Sequence, residues 1–179
     1  MTPAAELATR IKSCPKGISG WRRFEDDCIA ALQHVLVPPL SEPKIQARTQ
    51  SGIHRRDAVF PNRNFNSPNI WGHLYHELGA RMIPFEFKNY EKQDIGTEEV
   101  VQTRDYLSAP MGRLAVICST GHPNTSALFM RNRVYTETKR VILFMTEENL
   151  VEMLFMKERG EDPANLIMDL VEQFYLQYG

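Results

Sequence analysis

The chain contains 179 residues, of which 42% are hydrophobic and 24% are charged, and its formal net charge is −1. This length and composition are typical of a soluble globular protein with a single domain, here 1–179, and a full hydrophobic core. They exclude a uniformly basic protein, and no apolar run approaches the roughly 18–20 residues needed to cross a bilayer.

Three cysteines, Cys14, Cys28 and Cys118, are widely spaced and form no CxxC pair. We interpret them as reduced thiols and not as a disulfide framework or a zinc site. The N-terminus lacks the basic start and apolar centre of a signal peptide, so we expect a cytoplasmic protein without a membrane partner.

The charges are distributed unevenly. Residues 147–179 carry two basic and eight acidic side chains, whereas residues 1–146 carry 19 basic and 14 acidic ones. A mildly basic body with an acidic tail weakly favours a local anionic partner.

The first long element is a predicted helix from Trp21 to Val37, which follows a short helix over 4–12 and ends at a Pro-Pro pair. Its apolar residues recur at helical spacing: Trp21, Phe24, Cys28, Ala31, Leu32, Val35 and Leu36. Glu25 lies on or beside this stripe. Because a carboxylate on a buried edge needs a partner, Glu25 is either a rim residue or part of a site.

Two strands, over 43–50 and 53–60, are predicted to form a hairpin around a tight turn at Ser51-Gly52. Asp57 lies within the second strand, where aspartate is disfavoured. Its presence there indicates either a bulge or strand end, or a metal ion.

A loop over 61–68 leads to a predicted helix over 69–78 that contains His73 and His76. The order His-Leu-Tyr-His-Glu matches neither the H-E-x-x-H nor the H-x-x-E-H pattern of zinc proteases. We therefore expect surface or packing roles for these histidines.

The strand predicted over 82–88 places Ile83, Phe85 and Phe87 on one face and Glu86 and Lys88 on the other. Taken alone, the two charged residues fit an ion pair on a solvated strand. Whether they do more depends on what the rest of the chain brings to them.

A helix over 97–108 follows, with Thr97 as its predicted cap and with Gln102 and Tyr106 on one face because they are four residues apart. The remaining predicted elements are strands over 114–119 and 141–145 and helices over 124–138, 147–159 and 163–178. We expect the apolar faces of the last two helices to cover the sheet or to form a homodimer surface. The whole order predicts an α/β protein, a three-layer α/β sandwich with a central mixed β-sheet and extra C-terminal helices over about 147–179.

Together, the helical Glu25, the strand Asp57, the strand Glu86-x-Lys88 and the helical Gln102-x-x-x-Tyr106 resemble the PD-(D/E)xK superfamily of metal-dependent nucleases. The Gln-x-x-x-Tyr spacing resembles its Mrr-like and RecB-like branches. The resemblance covers residues of about 20–120, and it departs from the superfamily pattern because Asp57 has no preceding proline. It implies a restriction-endonuclease-like core.

The resemblance also implies a role for each of these residues. Mg²⁺, for which Mn²⁺ can substitute, would be bound by Asp57, Glu86 and the backbone carbonyl of Phe87, with Glu25 near a second ion or a metal water. Lys88 would orient the attacking water or help to deprotonate it. The polar pair on the helix would complete the site: Gln102 would contact the water, Lys88 or the phosphate, and Tyr106 would support Gln102 or contact the substrate.

Basic residues flank these motifs, and each is either a backbone-phosphate contact or a solvated surface charge. The candidates are Arg55, Arg56, Arg63 and Lys92. No helix-turn-helix or zinc finger is recognisable, so we expect specificity to come from DNA structure, from a partner specificity subunit or from homodimerisation.

The sequence thus favours a Mg²⁺-dependent DNA endonuclease, with restriction or phage defence as a possible setting. The alternatives are an RNase and a nuclease-like fold that has lost turnover and serves as a nucleic-acid-binding or assembly module.

Overall fold

The computed structural model of the protein describes residues 1–48, 52 and 55–179. Its helices are α1 (Pro3–Lys12), α2 (Trp21–Leu36), α3 (Ile70–Leu78), α4 (Thr97–Tyr106), α5 (Thr125–Thr138), α6 (Glu147–Glu158) and α7 (Ala164–Gln177). Its strands are β1 (Lys44–Arg48), β2 (Arg55–Pro61), β3 (Met82–Lys88), β4 (Leu114–Ser119) and β5 (Val141–Thr146). The turn predicted at Ser51-Gly52 lies largely outside the described residues.

The five strands form one mixed sheet in the order β1-β2-β3-β4-β5. Strand β2 runs antiparallel to both of its neighbours, β1 and β3, and strands β3, β4 and β5 run parallel. Helices α1, α2, α3, α6 and α7 pack on one face of the sheet, and α4 and α5 pack on the other. The predicted three-layer sandwich with a mixed central sheet is therefore confirmed.

The alternation predicted for β3 explains how the central strand is anchored. Ile83, Phe85 and Phe87 are 1%, 0% and 8% exposed and belong to the larger core, on the α2 side of the sheet. The ring of Phe85 packs edge-on against that of Phe60 on β2, with 5.4 Å between the ring centroids. This buried side fixes the position of the opposite side of β3, which carries Glu86.

The C-terminal helices cover the sheet. Leu150, Met153 and Leu154 of α6 and Ile167 and Phe174 of α7 are at most 1% exposed within the larger core. The apolar faces that suggested a homodimer surface are therefore occupied by the core of the chain itself.

Local corrections concern two helix starts. Gly96, and not Thr97, is the N-cap of α4, and its amide donates to the carboxylate of Glu99 at 2.8 Å. Trp21, predicted within the apolar stripe of α2, is 43% exposed because the first turn of that helix lies at the edge of the layer.

The cysteines and the histidines of α3 behave as predicted. All three cysteines are buried free thiols. His73 pairs with Glu77 at 2.6 Å, and the ring of His76 hydrogen-bonds the Phe65 carbonyl at 2.7 Å. Among the described residues, none of the helices combines the length and the apolar character that crossing a membrane requires.

Candidate active site

The polar side of β3 lies in a cavity of about 370 Å³, which we call the carboxylate pocket. Three carboxylate side chains line it, those of Glu25, Asp57 and Glu86. The other lining residues are Trp21, Arg55, Phe87, Lys88, Gln102 and Tyr106. The structure thus brings together residues from α2, β2, β3 and α4 that are up to 85 positions apart in sequence, from Trp21 to Tyr106.

Glu86 is 4% exposed, so it does not belong to a solvated strand face. Its Oε1 accepts a hydrogen bond from the Lys88 ammonium at 2.8 Å, as expected for side chains two residues apart on a strand. Its Oε2 is buried and has no hydrogen-bond partner among the described residues. A carboxylate oxygen left in this state requires an explanation, and a bound cation is one.

Asp57 lies beside Glu86 because β2 and β3 are antiparallel neighbours. The paired register of the two strands ends at Ala58 with Phe85. Asp57 precedes Ala58 and Glu86 follows Phe85, so Asp57 and Glu86 are the next residues along the two strands. There Asp57 Oδ2 accepts a hydrogen bond from the backbone N–H of Phe87 at 3.0 Å. The side chain thus binds a backbone donor of β3, which holds the carboxylate next to Glu86.

Glu25 reaches the same pocket from α2, although it is 6% exposed. The pKa of Glu25 is raised because burial and the charge of Asp57 raise it. A hydrogen bond from Gln46 and the positive charge of Arg55 lower it, but by less. Gln46 has a φ of +52°, which is uncommon for a residue with a side chain and often marks a functional site.

The residues of α4 hold Lys88 in place. Gln102 Oε1 lies 3.3 Å from Lys88 Nζ, and Gln102 Nε2 donates to the hydroxyl of Tyr106 at 2.6 Å. The shared face predicted from the four-residue spacing therefore produces a direct hydrogen bond. Tyr106 is 3% exposed, so its position suits support of Gln102 better than a direct contact with substrate.

Burial raises the pKa of each of the three carboxyl groups that line the carboxylate pocket. The pKa of Glu86 is raised to about 7 because burial and, next, the charge of Asp57 raise it, while Lys88 opposes both effects. The pKa of Asp57 is also raised, first by burial, although the Phe87 amide and Lys88 counteract this. A bound cation would relieve the repulsion that the buried carboxylates exert on one another.

We predict that the metal-free protein loses stability as pH rises from about 4.5 to 7. Because folding raises the pKa of Glu86, the folded state holds a proton that the unfolded chain has already lost, and stability is greatest below the unfolded pKa. The loss is on the order of 3 kcal/mol, and Glu86→Gln removes this contribution. Thermal melting of both proteins in EDTA across this pH range measures it. Identical pH profiles for the two proteins would contradict the assignment.

Three predicted phosphate contacts lie in different environments. Arg55 lines the carboxylate pocket, as a phosphate contact requires, and Lys92 lines an adjoining cavity. Arg63 is exposed but lies beyond the far end of β2, six residues from Asp57, which is roughly 20 Å along an extended chain. A contact of Arg63 with the same phosphate group does not fit this distance.

Arg56 does not fit its predicted role as a substrate contact. It is 8% exposed, and its Nε and Nη2 donate to the backbone carbonyl of Tyr106 at 3.0 and 2.7 Å. The last carbonyls of a helix lack partners within the helix and attract cations, so Arg56 is held at the C-terminal end of α4.

We expect the two neighbouring arginines to respond differently to substitution. Arg56→Ala should lower the free energy of unfolding by about 1–3 kcal/mol, because a buried carbonyl loses charged hydrogen bonds. Arg55→Ala should cost less stability than Arg56→Ala and should weaken nucleic-acid binding. Urea unfolding and oligonucleotide binding, measured on both variants, separate the roles. Equal loss of stability in both would show that Arg55 is structural too.

The pocket suits a hard divalent cation. In the part of the chain that the structure describes, no three His, Cys, Asp or Glu side chains form a ready-made metal shell. Mg²⁺ does not need one, since it keeps several waters and is commonly bound by one or two carboxylates. Asp57 and the orphaned Oε2 of Glu86 supply oxygen donors, and neither histidine nor cysteine is among the described residues that line the pocket. The donors fit Mg²⁺ or Mn²⁺ better than zinc.

Two residues of this site are not predicted from the sequence. Trp21 belongs to the apolar stripe predicted for α2, yet it lines the carboxylate pocket. Gln46, which hydrogen-bonds Glu25, carried no signal because glutamine is ordinary in an exposed edge strand. The position of Trp21 directly after Gly20, at the first turn of α2 and beside two arginines, was the available clue.

Comparisons with known proteins support the fold. Two structures of restriction endonuclease FokI are similar to this chain. The structure bound to DNA has a TM-score of 0.59 and 12% identity, and the match covers 88% of this chain and 27% of that one. The structure described without DNA has a TM-score of 0.55 and 10% identity, and the match covers 89% and 31% of the two chains.

One curated relative, the "Putative transposon gamma-delta 80.3 kDa protein" of Escherichia coli (strain K12), is 28% identical over 112 residues. The match covers 63% of this chain and spans 15% of the relative. No family model matches. The similarity to the two FokI structures shows that the chain has a restriction-endonuclease-like fold.

Proposed function

We propose that this chain is a Mg²⁺-dependent nuclease of the PD-(D/E)xK type that hydrolyses phosphodiester bonds of DNA. The observation that carries the proposal is the convergence of Asp57 and Glu86 in one pocket with Lys88, whose ammonium is held by Glu86 and Gln102. The proposed placement near the Mrr-like and RecB-like branches rests on the Gln102-x-x-x-Tyr106 spacing, whose two side chains are hydrogen-bonded.

Asp57 and Glu86 would hold the ion, with the Phe87 carbonyl as a further ligand and Glu25 near a second ion or an ordered water. A bound divalent ion supplies Lewis acidity, which offsets the charge that develops on the phosphate and makes a water more acidic. Lys88 donates hydrogen bonds that orient the attacking water. Gln102 restricts the Lys88 side chain, and Tyr106 in turn restricts Gln102, so the reactive geometry is fixed before substrate binds.

DNA is proposed as the substrate on the basis of the comparisons, and the charge of the pocket agrees with a nucleic-acid backbone. FokI is described as a restriction endonuclease and was determined bound to DNA, and the curated relative is named for a transposon. Arg55 within the pocket supplies positive charge for a backbone phosphate. The biological setting is open between restriction or phage defence and a mobile element, and a second copy or a partner subunit would supply sequence specificity.

Incubation with supercoiled plasmid, linear single-stranded DNA and RNA, each with Mg²⁺, Mn²⁺ or EDTA, tests the proposal. We expect metal-dependent cleavage of at least one DNA substrate. Cleavage of RNA alone would make the chain an RNase. Binding without cleavage of any substrate would favour the alternative, a binding or assembly module that keeps the fold without turnover.

A further inference from the structure

Beside the carboxylate pocket lies a larger cavity of about 710 Å³, which we call the adjoining cleft. It is bounded by residues 16–19 and Trp21 on one side and by residues 89–93 on the other. The two cavities share Trp21, Phe87 and Lys88 as lining residues. A nucleic-acid strand whose scissile phosphate lies at the carboxylates would therefore place its next nucleotide in this cleft.

From these features we infer that the adjoining cleft binds an unpaired nucleotide next to the scissile phosphate, with its base stacked on Trp21. The inference rests on the proposed nuclease function and specifies its substrate class: DNA that is single-stranded at the cleavage site. Within a duplex the faces of each base are covered by its neighbours, so stacking on a side chain requires an unstacked base.

The exposure of Trp21 is the first support. A tryptophan that is 43% exposed is notable here because it borders both cavities. The guanidinium of Arg22 lies over the Trp21 ring, 5.3 Å from its centroid, so a stacked base must use the opposite face of the indole. Aromatic side chains combined with nearby positive charge bind single-stranded nucleic acid without sequence preference.

The platform is rigid. Asn89, directly after β3, donates from Nδ2 to the backbone carbonyls of Pro15 and Gly17 at 2.8 and 3.2 Å. Gly20 packs so tightly against Pro15 that a Cβ would lie 1.8 Å from its carbonyl oxygen. The segment that presents Trp21 is thus tied to the strand that presents Glu86, and the distance between stacked base and cleaved phosphate is set in advance.

The opposite wall is also fixed. The backbone of Tyr90 exchanges hydrogen bonds with the Thr120 hydroxyl at 2.7 and 2.8 Å, and its own hydroxyl donates to Glu99 at 2.5 Å. Tyr90 also lines the cleft, and its side chain packs against the smaller core. This wall of the cleft therefore needs no rearrangement to receive a nucleotide.

The charges of the cleft suit one phosphate more than many. Lys16 is held by both carboxylate oxygens of Glu147 at 2.5 and 2.6 Å, so its charge is already matched. Lys92 is exposed and shows no ion pair among the described residues, whereas Glu91 contributes a negative charge at the rim. Aromatic stacking, not an extended basic track, must therefore contribute much of the binding.

Intrinsic fluorescence tests the inference because the chain has two tryptophans and Trp71 is only 1% exposed. The full chain in EDTA, which prevents metal-dependent cleavage, is titrated with a 12-mer of deoxythymidine and with a mixed-sequence duplex of equal length. We expect the single strand to quench the emission of wild type but not that of Trp21→Phe. Trp21→Ala should weaken single-strand binding roughly tenfold.

Phe129→Ala removes an aromatic side chain that is 72% exposed on α5 and does not line the cleft, so it is the matched control. Asn89→Ala should reduce quenching without removing the indole, because it releases the segment that positions Trp21. Equal quenching by the duplex, or unchanged single-strand binding by Trp21→Ala, would overturn the inference and leave metal-dependent cleavage as a separate question. Quenching without any cleavage in Mg²⁺ or Mn²⁺ would support the cleft and reject the nuclease function.

Discussion

Asp57→Asn should abolish turnover, by roughly a thousandfold or more, and leave the fold intact. The asparagine keeps an oxygen that can accept the hydrogen bond from the Phe87 amide, so the local geometry of β3 is preserved. It loses the negative charge that would hold a divalent ion. It also removes a carboxylate that raises the pKa of Glu86, so the metal-free variant should melt at or above the temperature of wild type.

The measurement is plasmid cleavage in Mg²⁺ together with thermal melting in EDTA. Melting well below wild type would show that Asp57 is structural, and the loss of activity would then say nothing about the reaction. Cleavage at the wild-type rate would remove Asp57 from the site altogether. Asp26→Asn on the exposed side of α2 is the matched control for a change of charge alone.

Lys88→Ala should lower kcat by roughly a hundredfold or more while Mn²⁺ still binds. The ammonium is 2.8 Å from Glu86 Oε1 and 3.3 Å from Gln102 Oε1, which places it beside the carboxylates without making it a ligand. Its removal also withdraws a positive charge that lowers the pKa of Glu86, so the decrease in Mn²⁺ affinity from pH 8 to pH 6 should be larger in the variant than in wild type.

Calorimetric titration of Mn²⁺ at both pH values, beside single-turnover cleavage, separates binding from the reaction. Lys12→Ala replaces an exposed lysine of α1 that lines neither the carboxylate pocket nor the adjoining cleft, and it should match wild type in both measurements. If Lys88→Ala cleaves as fast as wild type, the proposed orientation of the water by this side chain is wrong.

Much of the fold could be predicted because its signals are local. The alternation of Ile83, Phe85 and Phe87 is a property of five consecutive residues, and the strand bounds 82–88 match β3. The spacing of Gln102 and Tyr106 likewise fixes a shared helical face, and their hydrogen bond follows. The convergence of Asp57 with Glu86 is not local, and it was expected only through the resemblance to a nuclease superfamily.

The failures have a common physical cause, since sequence does not show where a neighbouring element ends. Trp21 continues the apolar period of α2, but at the first turn no layer lies over it. Arg56 stands next to Arg55 in sequence, yet it is buried against the last turn of α4 while Arg55 lines the pocket. For both residues, the role depends on which segments distant in sequence pack beside the side chain.

A crystal structure of the protein soaked with Mn²⁺ tests whether the polar side of β3 is a metal centre. The anomalous signal of manganese locates the ion without reference to activity. We predict a peak within coordination distance of Asp57 and Glu86 Oε2, with the Phe87 carbonyl as a further ligand. A map of well-ordered, fully soaked crystals with no manganese at these two carboxylates would contradict the account.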